Sequence, residues 1–133
     1  MSRFPNLESG FLFLTMSGGK QMLDICIIDD EPLALQYLSF LLSQMDDVNL
    51  AGAYSEPKEL IQDLYTIKVD AVLMDIQMPG ILGIDLAEQL LAIQPEIEIV
   101  FVTAYEEYAI KAFELNALDY ILKPIEKNSN KHV

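Results

Sequence analysis

Short apolar runs alternate along this chain with stretches in which apolar residues recur every three or four positions. Leu23 to Ile28 is nearly continuous, broken only by Asp24, which predicts a strand covered on both faces. Pro32 to Met45 follows as a helix, with Pro32 suited to a first turn and Leu33, Tyr37, Phe40, Leu41 and Met45 at helical spacing. The same alternation continues with a strand at Val48 to Tyr54, a helix from about Pro57 to Ile67 and a strand at Ala71 to Met74. A loop through Pro79 and Gly83 leads to a helix from Ile84 to about Ile93. Ile97 to Val102 is rich in β-branched and aromatic residues and is the strongest strand signal. A helix over about Glu107 to Leu115 and a strand at Asp119 to Leu122 complete the pattern. Strand and helix alternating with short connections predict a doubly wound α/β fold, a five-stranded parallel sheet with helices on both faces.

Length and charge narrow the function classes. A chain of 133 residues is one domain's worth, and with 52% hydrophobic and 22% charged residues it buries a core rather than staying disordered. Its net charge of −13 repels phosphate backbones and anionic lipid, and no Lys/Arg cluster offsets it, so direct nucleic-acid contact is not expected. Cys26 is the only cysteine and sits in an apolar run, which excludes a disulfide framework and reads as a small buried hydrophobe. The run Phe11 to Leu14 is far below the roughly 20 residues of a membrane span, so a cytoplasmic protein is expected.

In a sheet of this kind ligands bind beyond the carboxyl ends of the strands. There the sequence places Asp29, Asp30 and Glu31 after the first strand, Asp75 after the third, Thr103 and Ala104 after the fourth, and Lys123 and Pro124 after the fifth. Each has an ordinary reading: an acidic pair caps a helix, a threonine bonds locally, a lysine is solvated. Three aspartates (Asp29, Asp30 and Asp75), a hydroxyl and an ammonium on one sheet edge are harder to explain that way. Carboxylates so close repel one another unless a hard cation lies among them, and all-oxygen ligands with room for water suit Mg2+. A carboxylate nucleophile, a divalent ion, a lysine and a hydroxyl suffice for phosphoryl transfer.

The runs Ile27-Ile28-Asp29-Asp30-Glu31, Met74-Asp75-Ile76-Gln77-Met78-Pro79 through Gly83, Val102-Thr103-Ala104 and Leu122-Lys123-Pro124 resemble the receiver domains of two-component response regulators. The resemblance spans Met22 to about Ile125 and implies a flavodoxin-like strand order 2-1-3-4-5. It implies that Asp75 is the phosphoacceptor, and that Asp29, Asp30, Asp75 and the backbone carbonyl of Gln77 hold Mg2+. It further implies that Thr103 and Lys123 contact the phosphoryl group, that the Lys123–Pro124 bond is cis, and that Thr103 and Tyr120 switch on phosphorylation. The implied donor is a sensor histidine kinase, and the implied reactions are autocatalytic phosphotransfer and dephosphorylation rather than turnover of a separate substrate. Residues 101–124 resemble receivers joined to LytTR-type or winged-helix transcriptional activators, which implies transcriptional control as the output. Two alternatives share parts of this pattern. A Mg2+-dependent phosphatase of the haloacid-dehalogenase class needs a second Asp two residues after its nucleophile, where this chain has Glu31 after Asp29 and Gln77 after Asp75. A receiver-like interaction module that is never phosphorylated would not need the acidic positions filled.

Both ends depart from the pattern. Residues 1–21 are read as a non-native or disordered leader, with Met22 as the native start and 22–133 as the receiver domain. After Lys123-Pro124 the family has a fifth helix, but Glu126 to His132 are polar and offer no amphipathic stripe, so a truncated or absent helix is expected. The apolar face left open needs a cover, and the candidates are the Phe11 to Leu14 segment folding back or a second copy of the chain in a homodimer.

Overall fold

The computed structural model describes residues 2–4, 6–18 and 22–125. Its elements are α1 (Leu7–Gly18), β1 (Leu23–Ile28), α2 (Pro32–Ser43), β2 (Val48–Tyr54), α3 (Pro57–Leu64), β3 (Ala71–Met74), β4 (Gln77–Met78), β5 (Ile81–Leu82), α4 (Gly83–Ile93), β6 (Glu98–Thr103), α5 (Ala109–Glu114) and β7 (Asp119–Leu122). Five strands form one sheet in the order β2-β1-β3-β6-β7, with every pairing parallel. With the small antiparallel β4–β5 hairpin set aside, this is the expected 2-1-3-4-5 arrangement. That hairpin lies where a plain loop was predicted, and it turns at Gly80, whose φ of 89° suits glycine.

Alternate residues of each strand feed two cores, because side chains in a strand point to opposite faces. Cys26, Ile28, Val72, Met74, Ile99, Phe101 and Tyr120 pack with Leu60, Leu86 and Leu90 of α3 and α4. Ile25, Ile27, Ala71, Leu73, Val100 and Val102 pack with Leu38, Leu41 and Leu42 of α2. The predicted α2 stripe is corrected here. Leu33 is 78% exposed, and Tyr37 and Phe40 also face outward, because this helix is apolar on nearly every side and periodicity could not select its buried face. Burial pushes the Cys26 thiol up to about 11, as an inert core cysteine requires. Helix α5 is shorter than predicted: Asn116 takes a left-handed conformation (φ 64°), and the Ala117 N–H closes back on the Ala112 carbonyl at 3.1 Å.

The second core has a further cover. Leu7 and Phe11 of α1 are buried in the same cluster, with Phe4 and Leu14 packed against it, so the segment carrying Phe11 folds back as one of the two candidates required. Its start is set locally, since the Ser9 N–H donates to Asn6 Oδ1 at 2.8 Å and the Asn6 N–H to Ser9 Oγ at 3.3 Å, a reciprocal cap. It is also anchored to β7, where Ser2 Oγ and the Arg3 N–H donate to the buried Asp119 carboxylate at 2.7 and 2.6 Å. The truncated-helix expectation falls on residues 126–133, outside the described residues. Among the described residues no helix is long and apolar enough to cross a membrane. Phe11→Ala is expected to remove up to about 3 kcal/mol of docking energy and to release α1 before the sheet. Hydrogen exchange checks this: α1 amides should exchange much faster while β1 and β3 stay protected, and equal loss in both would mean that α1 is not a separable cover.

Candidate functional site

The parallel sheet brings the strand ends of β1, β3, β6 and β7 to one edge. The β1–β3 register pairs Ile28 with Met74, so Asp29 and Asp75, the next residues, leave neighbouring strands side by side. Asp29, Asp30 and Asp75 each place a carboxylate oxygen within 4.8 Å of the others. Asp29 is 1% exposed and Asp75 7%, while Asp30 faces solvent. None of the three caps α2: its N-cap is Glu31, without a side-chain bond, and Asp29 Oδ1 instead accepts the Glu31 N–H at 2.9 Å. The helix-cap reading of this acidic pair is therefore not what the fold uses.

Lys123 reaches into the cluster from the end of β7. Its Nζ lies 2.9 Å from Asp29 Oδ2, 3.0 Å from Asp75 Oδ2 and 3.7 Å from the exposed Glu31 carboxylate. The Lys123–Pro124 bond is cis, and the Lys123 N–H donates to the Thr103 carbonyl at 2.9 Å, which ties this turn to β6. Burial pulls the Lys123 ammonium down, but its bonds to Asp29 and Asp75 outweigh that and raise it above its ordinary value. The Asp29 carboxyl is also raised, because burial outweighs the Glu31 N–H and Lys123. Two like charges about 4 Å apart repel by about 4 kcal/mol at an effective dielectric near 20, so one ammonium among three carboxylates leaves excess negative charge. That excess favours a divalent cation.

Asp75 is held by its own loop, since the Ile76 and Gln77 N–H groups donate to its Oδ1 at 2.6 and 3.3 Å. Thr103 is fully buried at the end of β6, and its Oγ1 accepts the Tyr105 N–H at 3.4 Å. Tyr120 is also fully buried, packs its ring 6.2 Å from Phe101, and donates its hydroxyl to the Tyr105 carbonyl. Thus the loop after β6 joins Thr103 to Tyr120.

Tyr108 escaped the sequence reading, which placed Gly83 in its motif without a role. Gly83 opens α4 with its N–H on the Ile76 carbonyl at 2.6 Å, and a Cβ there would lie 2.2 Å from the Asp75 carbonyl oxygen. Tyr108, the N-cap of α5, accepts a hydrogen bond from Gln77 Nε2 at 2.7 Å. Nothing local marks these roles; only the folded approach of two loops does.

Comparison with known proteins agrees with this geometry. The family model described as the response regulator receiver domain matches residues 25–132. The transcriptional regulatory protein BtsR of Salmonella typhi is 44% identical over 108 residues, covering 80% of this chain and 44% of that protein. The sensory transduction protein LytT of Enterococcus faecalis is 42% identical over 103 residues, covering 77% of this chain and 43% of that protein. The chain therefore spans less than half the length of these curated relatives. Among solved structures, the response regulatory domain of MrkE from Klebsiella pneumoniae superposes with a TM-score of 0.73 at 37% identity, covering 79% of this chain and 86% of that one. With its five-stranded parallel sheet, its acidic cluster and the family match over most of its length, this chain belongs to the receiver domains of two-component response regulators.

Proposed function

We propose that Asp75 accepts a phosphoryl group from the phosphohistidine of a sensor histidine kinase and that the resulting charge switches the surface around Thr103 and Tyr120. The observation carrying this reading is the contact of Lys123 Nζ with both Asp29 and Asp75 at 2.9 and 3.0 Å beside Asp30, which sets an ammonium against the acceptor carboxylate, where it can pair with phosphoryl oxygens. The carboxylates of Asp29, Asp30 and Asp75, with the Gln77 backbone carbonyl, would hold Mg2+; their all-oxygen chemistry and the exposure of Asp30 suit an ion that keeps some of its water. When bound, that ion offsets the carboxylate repulsion and draws charge from the phosphoryl oxygens.

In the transfer step an Asp75 oxygen attacks phosphorus, the P–N bond to the imidazole breaks, and the departing nitrogen takes a proton from water. Lys123 pairs with the phosphoryl oxygens, and the Thr103 hydroxyl turns from the Tyr105 N–H toward them. Because Tyr120 bonds to the Tyr105 carbonyl, displacement of this loop is felt at Tyr120, a local charge event biasing a two-state surface. The cycle ends when water attacks phosphorus and the P–O bond breaks, returning the Asp75 carboxylate and inorganic phosphate.

Transcriptional control as the output, homodimerisation as a route to it, a cytoplasmic location and the absence of direct nucleic-acid contact by this acidic chain belong to the same reading. Incubation with a small phosphoramidate and Mg2+, followed by intact mass and peptide mapping, tests it. One added phosphoryl group on Asp75 is expected; no label, or sustained turnover of phosphate monoesters, would overturn it. Lys123→Ala should slow labelling roughly tenfold or more, since it removes a charge-assisted bond and leaves Asp29 and Asp75 without their cation. Initial labelling rates at saturating Mg2+ measure that loss.

A further inference from the structure

Tyr108 stands between the two loops that carry the reacting groups, and it joins them before any phosphoryl group is present. Gln77 lies two residues after Asp75, and its Nε2 donates to the Tyr108 hydroxyl at 2.7 Å. Tyr108 lies five residues after Thr103 and begins α5, where its carbonyl accepts the Ala112 N–H at 3.0 Å. Between them, the Tyr105 carbonyl accepts the Tyr120 hydroxyl. The Tyr108 backbone amide faces that same hydroxyl, opposing the upward pull that burial exerts on the Tyr120 phenol. The Gln77–Tyr108 bond is therefore a side-chain tie between the loop that carries Asp75 and the loop that carries Thr103 and anchors Tyr120.

We propose that Tyr108 is a positioning residue whose hydroxyl, held by Gln77, pins these two loops together and sets how long a phosphoryl group survives on Asp75. This rests on the phosphoacceptor reading of Asp75 and adds a determinant of lifetime to it. The physical ground is loop ordering. Adjacent parallel strands fix the two loop roots, since Met74 pairs with Phe101, but no backbone ladder joins the loops beyond that point. A tie there restrains relative opening, and opening is what admits attacking water to the phosphorus. Tyr108 is half-buried and Gln77 exposed, so the bond competes with solvent and is of ordinary net strength. Its loss should therefore change the lifetime by about two- to tenfold rather than abolish labelling.

The full chain is labelled with a small phosphoramidate and Mg2+, freed of donor by gel filtration, and followed by intact mass as the label decays. Tyr108→Phe keeps the ring and removes the hydroxyl that accepts; Gln77→Met keeps the backbone carbonyl and removes the side-chain amide that donates. Each is expected to shorten the label's lifetime by about two- to tenfold. The double variant should decay no faster than either single one, because both remove the same bond. A purely structural effect of either residue would instead add in the double variant and lower the unfolding midpoint. Additive effects, or a Tyr108→Phe lifetime equal to that of the unsubstituted chain, would overturn the tie alone. An unsubstituted chain that takes no label would overturn the phosphoacceptor reading, and the tie with it.

Discussion

Asp75→Asn is expected to reduce phosphodonor-dependent labelling below detection while leaving the domain folded. The amide oxygen can keep the bonds that Oδ1 accepts from the Ile76 and Gln77 N–H groups. The amide nitrogen then replaces Oδ2, which faces Lys123 Nζ at 3.0 Å, and an ammonium has no acceptor to offer it. Lys123 would shift wholly onto Asp29, already 2.9 Å away. Loss of that bond works against the relief of carboxylate repulsion, so the net change in stability should stay within about 1 kcal/mol. Labelling differs in kind, since a neutral amide is not a competent nucleophile toward phosphorus. Intact mass after exposure to phosphodonor and Mg2+, beside a thermal melt without donor, reads both effects. Full-stoichiometry label on the D75N variant would place the acceptor elsewhere.

How legible this was depended on where the information lay. The strands were readable because both sheet faces are covered, which makes Ala71–Met74 a continuous apolar run and Leu23–Ile28 one broken only by Asp24. The acidic cluster was readable because parallel strands put Asp29 and Asp75 on one edge whatever the detailed packing. Helix α2 was predicted with only part of its buried face, Leu41 and Met45, because exposed Leu33, Tyr37 and Phe40 compete on equal terms with buried Leu38 and Leu42. The α1 cover was visible only as a short apolar run; its anchors at Asp119 depend on a strand more than a hundred residues away in sequence. Tyr108 and Gly83 act through contacts between loops, for which no local periodicity exists.

Gly83→Ala is expected to have the largest effect of any single substitution outside the acidic cluster, and Gly80→Ala is its control. At Gly83 an added Cβ would sit 2.2 Å from the Asp75 carbonyl oxygen and 2.8 Å from the Ile76 Cα. Both are backbone atoms, so no side-chain rotation relieves the contact; either α4 or the Asp75 loop must move. Helix α4 is held along its length by buried Ile84, Leu86, Ala87 and Leu90, whereas the Asp75 loop is anchored over a few residues by Ile76 and Met78 in the same core and by short bonds of its own. The loop should give way, weakening the 2.6 Å bond from the Gly83 N–H to the Ile76 carbonyl and turning Asp75 away from Lys123. Overpacking of this kind costs about 3 kcal/mol, and displacing a nucleophile by about 1 Å costs roughly a hundredfold in rate. At Gly80 a Cβ would meet nothing within 4 Å, and only the positive φ of 89° penalises it, by about 1 to 2 kcal/mol. Urea unfolding gives the stability change, and the labelling rate per folded molecule gives the positional one. Gly80→Ala should lower the first and spare the second; Gly83→Ala should lower both. A Gly83→Ala chain labelled as fast as the unsubstituted one would mean that the contact between α4 and the Asp75 loop does not position the nucleophile.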